Sequence, residues 1–436
     1  MKNIKQILVI AIAHFFAITS LLAQNPISLD EAIKLSLQNN YGLQIARGEQ
    51  EIAKLNNDLG SAGFLPQLKA TAGNTWANNN IHQETNTGSI TDKNNVAGST
   101  ANAAIGFTWT LFDGTKMFAT HHKLAELEKL SEIKTQMAIE DLVYRVMSQY
   151  YSLVKIKQQI TLSESLLVLY QKRKQVAEAK NAAGSSSGLE VLQAQADLNA
   201  QSATLLKLKS QYQQAQYAFG KLVLNNPQVP VVVNDSLNTA PLINVESVRT
   251  NLKSNTQIKT AATYLKISDF TSKEARSGYF PKVGLGASYN FASTDNAAGY
   301  LLNSQTYGPT YGFTASWNLF DGMAVKRSVK SAKIQQRIMQ LSFDEVNLLL
   351  ETALLSQFKL YESNLQIVTM EEQSISVAQT ALTIAMEKYG LGMINDIQLK
   401  EVQRTFEDAQ LRLITARYDV KISETELLKL QGLLIR

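Results

Sequence analysis

The sequence WTLFDG, Trp109–Gly114, decides the fold because it recurs 208 residues later as WNLFDG, Trp317–Gly322. Each copy stands just before a long stretch without glycine or proline, Thr115–Ala183 and Met323–Tyr389. At 1.5 Å per residue each stretch would form a helix of about 100 Å, far longer than the helices of ordinary globular domains. The six residues therefore mark the entry into an unusually long helix, and they do so twice.

A second pair of motifs shows that the whole chain is duplicated. GFLPQL at Gly63–Leu68 returns as GYFPKV at Gly278–Val283, 215 residues on, and Gly184 returns as Gly392, 208 residues on. The difference of seven residues falls in a polar, loop-like interval, where insertions cost little. The sequence therefore predicts one structural unit written twice.

The duplication sets the predicted boundaries. Residues 24–226 form the first repeat, residues 243–436 form the second, and the proline-rich segment 227–242 links them. Each repeat contains two helices, two strands around a polar loop, and a long helical hairpin. The predicted elements are helices from Ser28 to about Leu65 and from about Val245 to Phe280, strand pairs at 67–112 and 282–320, and long hairpins at 115–219 and 323–431. Ser28 and Glu31 have the spacing of a capping box.

The first 23 residues predict an export signal. Two lysines in MKNIKQ precede a long apolar run that ends in Ala23, which is the pattern of a cleaved signal peptide. The alternative is an uncleaved N-terminal membrane anchor. No other apolar run approaches 18 residues, so no transmembrane helix is expected in the mature chain.

The strand segments alternate between apolar and small polar residues. In the second repeat one face carries apolar residues such as Leu285, Tyr289 and Phe313, and the other carries residues such as Gly286 and Thr314. Strands of about ten residues with this alternation are typical of membrane β-barrels, although soluble hairpins packed on a helix show it too. Four strands cannot close a barrel that spans lipid, so if the strands lie in a membrane, several copies of the chain must assemble.

The composition excludes several classes of chemistry. The chain has no cysteine, four histidines and a formal net charge of only +5, without a basic run typical of nucleic-acid binding. GSSSG at Gly184–Gly188 fits a nucleophile-elbow pattern, but it lies between helices and no histidine follows it. His121 and His122 are adjacent and so do not share a helix face. We therefore expect no catalytic site, no metal and no cofactor.

In this order, the duplicated motifs resemble the TolC family of outer-membrane efflux channels. The resemblance covers Ser28 to about Gly432 and includes SLDEAIKLSLQNN, both proline motifs, both LFDG motifs and the two helical-turn sequences that begin at Gly184 and Gly390. It implies a mainly α fold with a β membrane part. The implied assembly is a homotrimeric α-barrel of long antiparallel helical hairpins, continuous with a 12-stranded outer-membrane β-barrel to which each chain gives four strands.

The resemblance also implies roles for specific residues. The strand-to-helix turns are Asp113–Gly114 and Asp321–Gly322, where the aspartate can cap the helix and the glycine permits the turn. Gate positions at the periplasmic end fall on Glu190, Gln193, Tyr389, Gln398 and Glu401. Only two of the four acidic positions carry a carboxylate, and Ile394 replaces a basic partner often found in the family. The turns that contact the adaptor contain Gly184, Ser185, Ser186, Gly188, Gly390 and Gly392.

The resulting hypothesis is a passive exit duct of an efflux or type I secretion system in the outer membrane. Its implied partners are a periplasmic adaptor (a membrane fusion protein), an inner-membrane pump and outer-membrane lipid. The alternative is a periplasmic coiled-coil scaffold or binding protein with soluble hairpins. The two glutamates are equally compatible with a gate and with solvated helix surfaces.

Overall fold

The structure, a computed structural model, describes residues 26–228, 230–234, 252–298 and 301–434. The predicted signal peptide, residues 235–242 of the predicted linker and the start of the helix predicted from Val245 lie outside these residues. The chain forms two compact units, and each draws on both sequence repeats. The described residues within 1–47, 134–259 and 346–436 form one unit, and those within 48–133 and 260–345 form the other.

Seven α-helices are formed within the described residues. In the first repeat they are α1 (Leu29–Asn39), α2 (Tyr41–Asn56), α3 (Lys116–Ala182) and α4 (Gly188–Leu224). In the second repeat they are α5 (Thr256–Arg276), α6 (Ala324–Gly390) and α7 (Asp396–Leu430). The helices α3 and α6 each have 67 residues, about 100 Å of helix, because no glycine or proline interrupts them.

In the described part of the chain, four antiparallel strands form a single sheet in the order β1 (Gln67–Glu84), β2 (Ile90–Phe112), β3 (Lys282–Asn296) and β4 (Asn303–Ser316). The register places like residues side by side across β2, β3 and β4. Leu285 pairs with Trp109 and with Phe313, whereas Gly286 pairs with Thr108 and with Gly312. One sheet face is therefore apolar and aromatic, and the other is small and polar. The outer edges of β1 and β4 have no strand beside them in the described chain.

The strands are longer than the ten residues expected from the alternation. They contain 14 to 23 residues because the polar segments predicted as loops also pair. Asn79 still pairs with Val96, and a register shift follows, where Asn80 Oδ1 accepts a hydrogen bond of 3.0 Å from the N–H of Asn95. A polar side chain does not prevent its backbone from joining the ladder, because β-propensity differences are only about 1 kcal/mol.

Pro309 remains within β4 and pairs with Tyr289, although proline cannot donate a hydrogen bond to the ladder. Within the single chain β4 has only one neighbouring strand, and the register between β3 and β4 runs through Pro309 without a shift.

The duplicated tryptophans join the two repeated motifs. Trp109 Nε1 donates to the carbonyl oxygen of Phe64 at 2.8 Å, and Trp317 Nε1 donates to that of Tyr279 at 3.1 Å. Each acceptor directly follows the glycine of its GFLP or GYFP sequence. Each tryptophan therefore fixes the end of a strand to the segment that leads into the preceding strand, which explains why both motifs recur.

The aspartates of LFDG cap the long helices. Both carboxylate oxygens of Asp113 accept from the N–H of Met117, and those of Asp321 accept from the N–H groups of Ala324 and Val325 at 3.0 and 2.8 Å. These bonds satisfy backbone donors that have no partner at a helix start. The following glycines have positive φ, +76° at Gly114 and +64° at Gly322.

The compact unit that includes residues 134–259 has a core built around α3. Val143, Val146, Tyr150 and Leu153, which follow coiled-coil spacing, are all buried. The segment predicted as a linker packs against this core, with Val233 fully buried and Val232 accepting a hydrogen bond from the N–H of Ile27. At least this part of the linker is therefore integrated into the fold.

None of the helices formed by the described residues is both long enough and apolar enough to cross a membrane.

We predict that Gly114→Ala destabilises the protein more than Gly322→Ala. A Cβ at Gly114 would lie 2.4 Å from the carbonyl oxygen of Ser277, whereas open space surrounds Gly322. Both substitutions place alanine at positive φ, which costs about 1–2 kcal/mol, but only Gly114→Ala must also move backbone. Thermal unfolding followed by circular dichroism measures the difference. Equal losses would show that φ alone requires glycine at both turns.

Candidate functional site

The two turns at the ends of the long helices have the same geometry. Gly184 and Gly392 both have φ of +73°. At the first turn Gly184 N–H donates to Asn181 and Ser185 N–H donates to Lys180; at the second, Gly392 and Met393 donate to Tyr389 and Lys388. This is the Schellman arrangement, in which a left-handed glycine satisfies the last carbonyl groups of a helix.

The remaining residues predicted at the turns lie on or beside them. Ser185 Oγ donates to the carbonyl oxygen of Lys180 at 3.0 Å, and Ser186 Oγ donates to that of Ala177 at 3.5 Å. Gly188 is the first residue of α4, and Gly390 is the last residue of α6. The turn glycines and Ser185 are exposed in the single chain.

Tyr389 lies buried at the end of α6. Its side chain has no exposed surface, and Lys180 Nζ stands 4.2 Å from the centre of its ring, within the range of a cation–π contact. Burial, together with the negative charges of Asp396 and Glu190, raises the pKa of Tyr389 to about 12. The phenol therefore remains neutral at physiological pH. The structure brings two predicted gate residues, Tyr389 and Glu190, into one electrostatic environment.

A fully buried arginine lies in the same environment. Arg173 of α3 makes a two-pronged interaction with Asp396, the first residue of α7, in which Nε donates to Oδ1 at 2.7 Å and Nη2 donates to Oδ2. Its Nη1 donates to Asp197 Oδ2 of α4 at 3.0 Å and to Gln403 Oε1 of α7 at 3.4 Å. One guanidinium thus joins three helices and both sequence repeats. We call Arg173, Asp197, Asp396 and Gln403 the arginine cluster.

The charges of the arginine cluster are balanced. Arg173 faces two carboxylates, and Lys400 Nζ contacts the second oxygen of Asp197 at 2.8 Å. Burial alone would lower the pKa of Arg173, but its hydrogen bonds and the charge of Asp396, followed by those of Asp197, raise it. The cation is therefore retained in the interior. Buried guanidinium groups are tolerated when they are paired and hydrogen-bonded in this manner.

The other predicted gate positions are exposed and lie outside this cluster. Gln193 and Glu401 are solvent-exposed in the single chain. Gln398 forms a complete capping box with Asn395, in which Gln398 N–H donates to Asn395 Oδ1 at 2.9 Å and Asn395 N–H donates to Gln398 Oε1 at 3.1 Å. Gln398 therefore caps the start of α7, which is a structural role that the resemblance inferred from the sequence did not imply. Glu190 differs from Glu401 because one of its carboxylate oxygens is buried.

Sequence reasoning missed the arginine cluster. Arg173 stands between Lys172 and Lys174, and such a run usually marks a solvated helix face. Its partners are 24, 223 and 230 residues away along the chain. The available signal was the pair of aspartates on the two helices that follow the turns, Asp197 within α4 and Asp396 at the start of α7. Their partner could not be identified, because it depends on the packing of three helices.

The described residues contain no group of histidine, aspartate and glutamate side chains suited to holding a metal ion. The arrangement can hold the ends of two helical hairpins together through charge and hydrogen bonds. It offers no nucleophile paired with a base.

Comparisons with known proteins point to one family. A family model described as outer membrane efflux protein matches residues 32–223 and 248–433. The chain is 24% identical over 422 residues to the probable efflux pump outer membrane protein TtgC of Pseudomonas putida, covering 93% of this chain and 83% of that protein. It is 21% identical over 425 residues to the alkaline protease secretion protein AprF of Pseudomonas aeruginosa, covering 93% and 85%.

Among solved structures, the fold is similar to the CmeC outer membrane channel of Campylobacter jejuni. The TM-score is 0.78 at 17% identity, and the match covers 93% of this chain and 85% of that chain. VceC of Vibrio cholerae is similar as well, with a TM-score of 0.76 at 17% identity and coverage of 93% and 96%. Because the sequence identity is this low, the likeness to these structures shows the fold alone.

We predict that Arg173→Gln lowers the free energy of unfolding by about 3–5 kcal/mol, because it leaves two carboxylates without their buried partner. The matched control is Arg417→Gln, which breaks the exposed pair between Arg417 Nη2 and Glu372 Oε1 at 2.8 Å. Exposed pairs contribute only about 0–1 kcal/mol. Urea unfolding of both variants measures the contrast, and losses of similar size would contradict a stabilising role for the cluster.

A second prediction concerns pH. The folded-state pKa of Tyr389 lies above the ordinary value of 10, so the neutral phenol is favoured in the fold. Its contribution to stability is therefore complete below pH 10 and is lost as the pH rises toward 12. Phenolate absorbance of wild type minus Tyr389→Phe should show a transition near pH 12. A transition near pH 10 would mean that Tyr389 is solvated.

Proposed function

The chain belongs to the outer membrane efflux protein family, and we propose that it forms the passive exit duct of a tripartite efflux or type I secretion system. The resemblance inferred from the duplicated motifs is thereby confirmed. The mainly helical fold with four strands and two long helical hairpins is confirmed as well. The proposed location is the outer membrane, with a large periplasmic part.

One observation carries this proposal: the sheet has a continuous apolar face and two open edges. Tyr307, Tyr311 and Phe313 are 69%, 85% and 79% exposed on one face of β4. A sheet face of this kind is suited to contact with lipid. The opposite face, with residues such as Gly286, Ser288 and Thr310, is suited to a hydrated channel. Three chains would bring twelve strands together and pair every edge.

The helical turns are the proposed gate and partner surface. Their exposed glycines and Ser185 are available to an adaptor, and the buried Tyr389 beside the arginine cluster supports a closed, ordered end. In this proposal Glu190 and Glu401 provide six carboxylates in a trimer, and such a ring would favour cations. The partners are a periplasmic adaptor and an inner-membrane pump, and the energy for transport comes from the pump.

The cargo is proposed only by class. The similar proteins are named for an efflux pump in one case and for secretion of an alkaline protease in the other. We propose that the duct accepts whatever its pump delivers, since the polar sheet face carries mainly glycine, serine and threonine. The proposed role includes no catalytic step.

The test is conductance of the purified protein in a planar bilayer. We expect small, cation-selective currents, and the double variant Glu190→Ala/Glu401→Ala should lower cation selectivity because it removes the carboxylate rings. Trimer assembly should stay unchanged. Reversal potentials in a salt gradient measure the selectivity.

Glu387→Ala, which removes an exposed carboxylate from α6 near the same turn, is the matched control. If both variants retain the wild-type reversal potential, the two glutamates do not form the gate. A protein that remains soluble and gives no current would instead support the periplasmic scaffold.

A further inference from the structure

The first turns of α6 carry a one-sided row of positive charge. Lys326, Lys330, Lys333 and Arg337 are spaced by four, three and four residues, so they lie along a single face of the helix. All four are exposed, and the sequence contains no acidic residue between Asp321 and Asp344. We call these four residues the basic stripe.

The basic stripe has no partner within the chain as described. None of its side chains lies within 4.0 Å of a carboxylate among the described residues, although basic residues elsewhere on the helices are often paired. Lys123 of α3, for example, contacts Glu274, and Lys273 contacts Asp269. Four like charges on one helix face repel one another, so an external anion would stabilise them.

The stripe is absent from the other repeat, so the fold does not require it. At the offset of 208 residues, the first-repeat counterparts are Phe118, His122, Ala125 and Lys129. Both long helices form equally well with and without the stripe. A feature that one copy has and the other lacks points to a task specific to this surface.

The residues just before the stripe indicate its surroundings. Trp317, Leu319 and Phe320 are 60%, 83% and 83% exposed, and Trp317 continues the apolar face of β4. Exposed aromatic residues followed by lysine and arginine are typical of the boundary between hydrocarbon and headgroups. The opposite side of the helix carries Ser328, Ser331 and Gln335, which suit contact with water.

We propose that the basic stripe binds anionic phospholipid headgroups in the membrane leaflet that adjoins the helices. The inference rests on the proposed function, because it requires the apolar sheet face to lie in lipid. Lysine and arginine near a negatively charged membrane surface attract it strongly, and the attraction falls off within a screening length of about 8 Å.

The geometry predicts a gradient along the stripe. Lys326 lies near the start of α6, whereas Arg337 is eleven residues further on, about 16 Å along the helix. Lys326 and Lys330 should therefore account for most of the lipid preference, and Lys333 and Arg337 for less. An anionic partner that extends along the helix would engage all four residues similarly.

Trp317 provides a local reporter for this lipid. We would place a Trp76→Phe/Trp109→Phe chain in vesicles that contain either brominated phosphatidylglycerol or brominated phosphatidylcholine at equal mole fraction. Brominated phosphatidylglycerol should quench Trp317 more strongly than brominated phosphatidylcholine. We expect the ratio of the apparent affinities for the two lipids, phosphatidylglycerol over phosphatidylcholine, to be on the order of fivefold. Lys326→Gln/Lys330→Gln should bring the ratio close to one, and Lys333→Gln/Arg337→Gln should lower it less. If the tryptophan replacements prevent folding, the same ratio is measured over all three tryptophans.

The matched control is Lys207→Gln/Lys221→Gln, which removes two exposed lysines from α4 and should leave the ratio unchanged. Equal quenching by the two lipids in the wild type would overturn the proposal, and so would a preference that the stripe variants retain. Loss of the preference on adding inorganic phosphate at constant ionic strength would identify a free-phosphate site instead. No quenching by either lipid would mean that the sheet does not lie in lipid, which is a failure of the proposed function itself.

Discussion

The structure depends on one constraint: in lipid, every backbone N–H and C=O group must be paired within protein. The sheet of this chain has an apolar face suited to lipid, but the edges of β1 and β4 are open. An open edge with an apolar face would aggregate or bind a neighbouring strand in water. Assembly with identical copies resolves both problems, because the edge of β4 in one chain can pair with the edge of β1 in the next.

Duplication of one structural unit gives each chain two strand pairs and two long helical hairpins, and the two copies differ in detail. The tryptophans of WTLFDG and WNLFDG donate to equivalent carbonyl groups in the two repeats, both aspartates cap a long helix, and the two helical turns share one glycine conformation. The arginine cluster and the basic stripe are different, because Arg173 occurs in the first repeat only, where its counterpart in the second is Ala381, and the basic stripe occurs in the second repeat only. We infer that the shared features build the fold and that the unshared charges adapt its surfaces and its closed end.

Much of this architecture could be predicted from the sequence because its signals are local. Glycine at a left-handed turn, aspartate before a helix and alternation along a strand each act over a few residues, as Gly184, Asp113 and Leu285 illustrate. The full strand lengths could not be predicted, because asparagine-rich segments join the ladder through backbone alone. Arg173 could not be assigned either, since its neighbours along the chain are solvated lysines and its partners come from other helices.

The most direct test of the central claim is the mass of the assembly extracted from outer membranes into mild detergent, measured by native mass spectrometry. The account predicts a particle of three chains, because three chains supply the twelve strands of the proposed barrel. A single soluble chain recovered from the periplasmic fraction would contradict it. The sheet would then belong to a soluble protein, and the proposed function as an exit duct would be wrong.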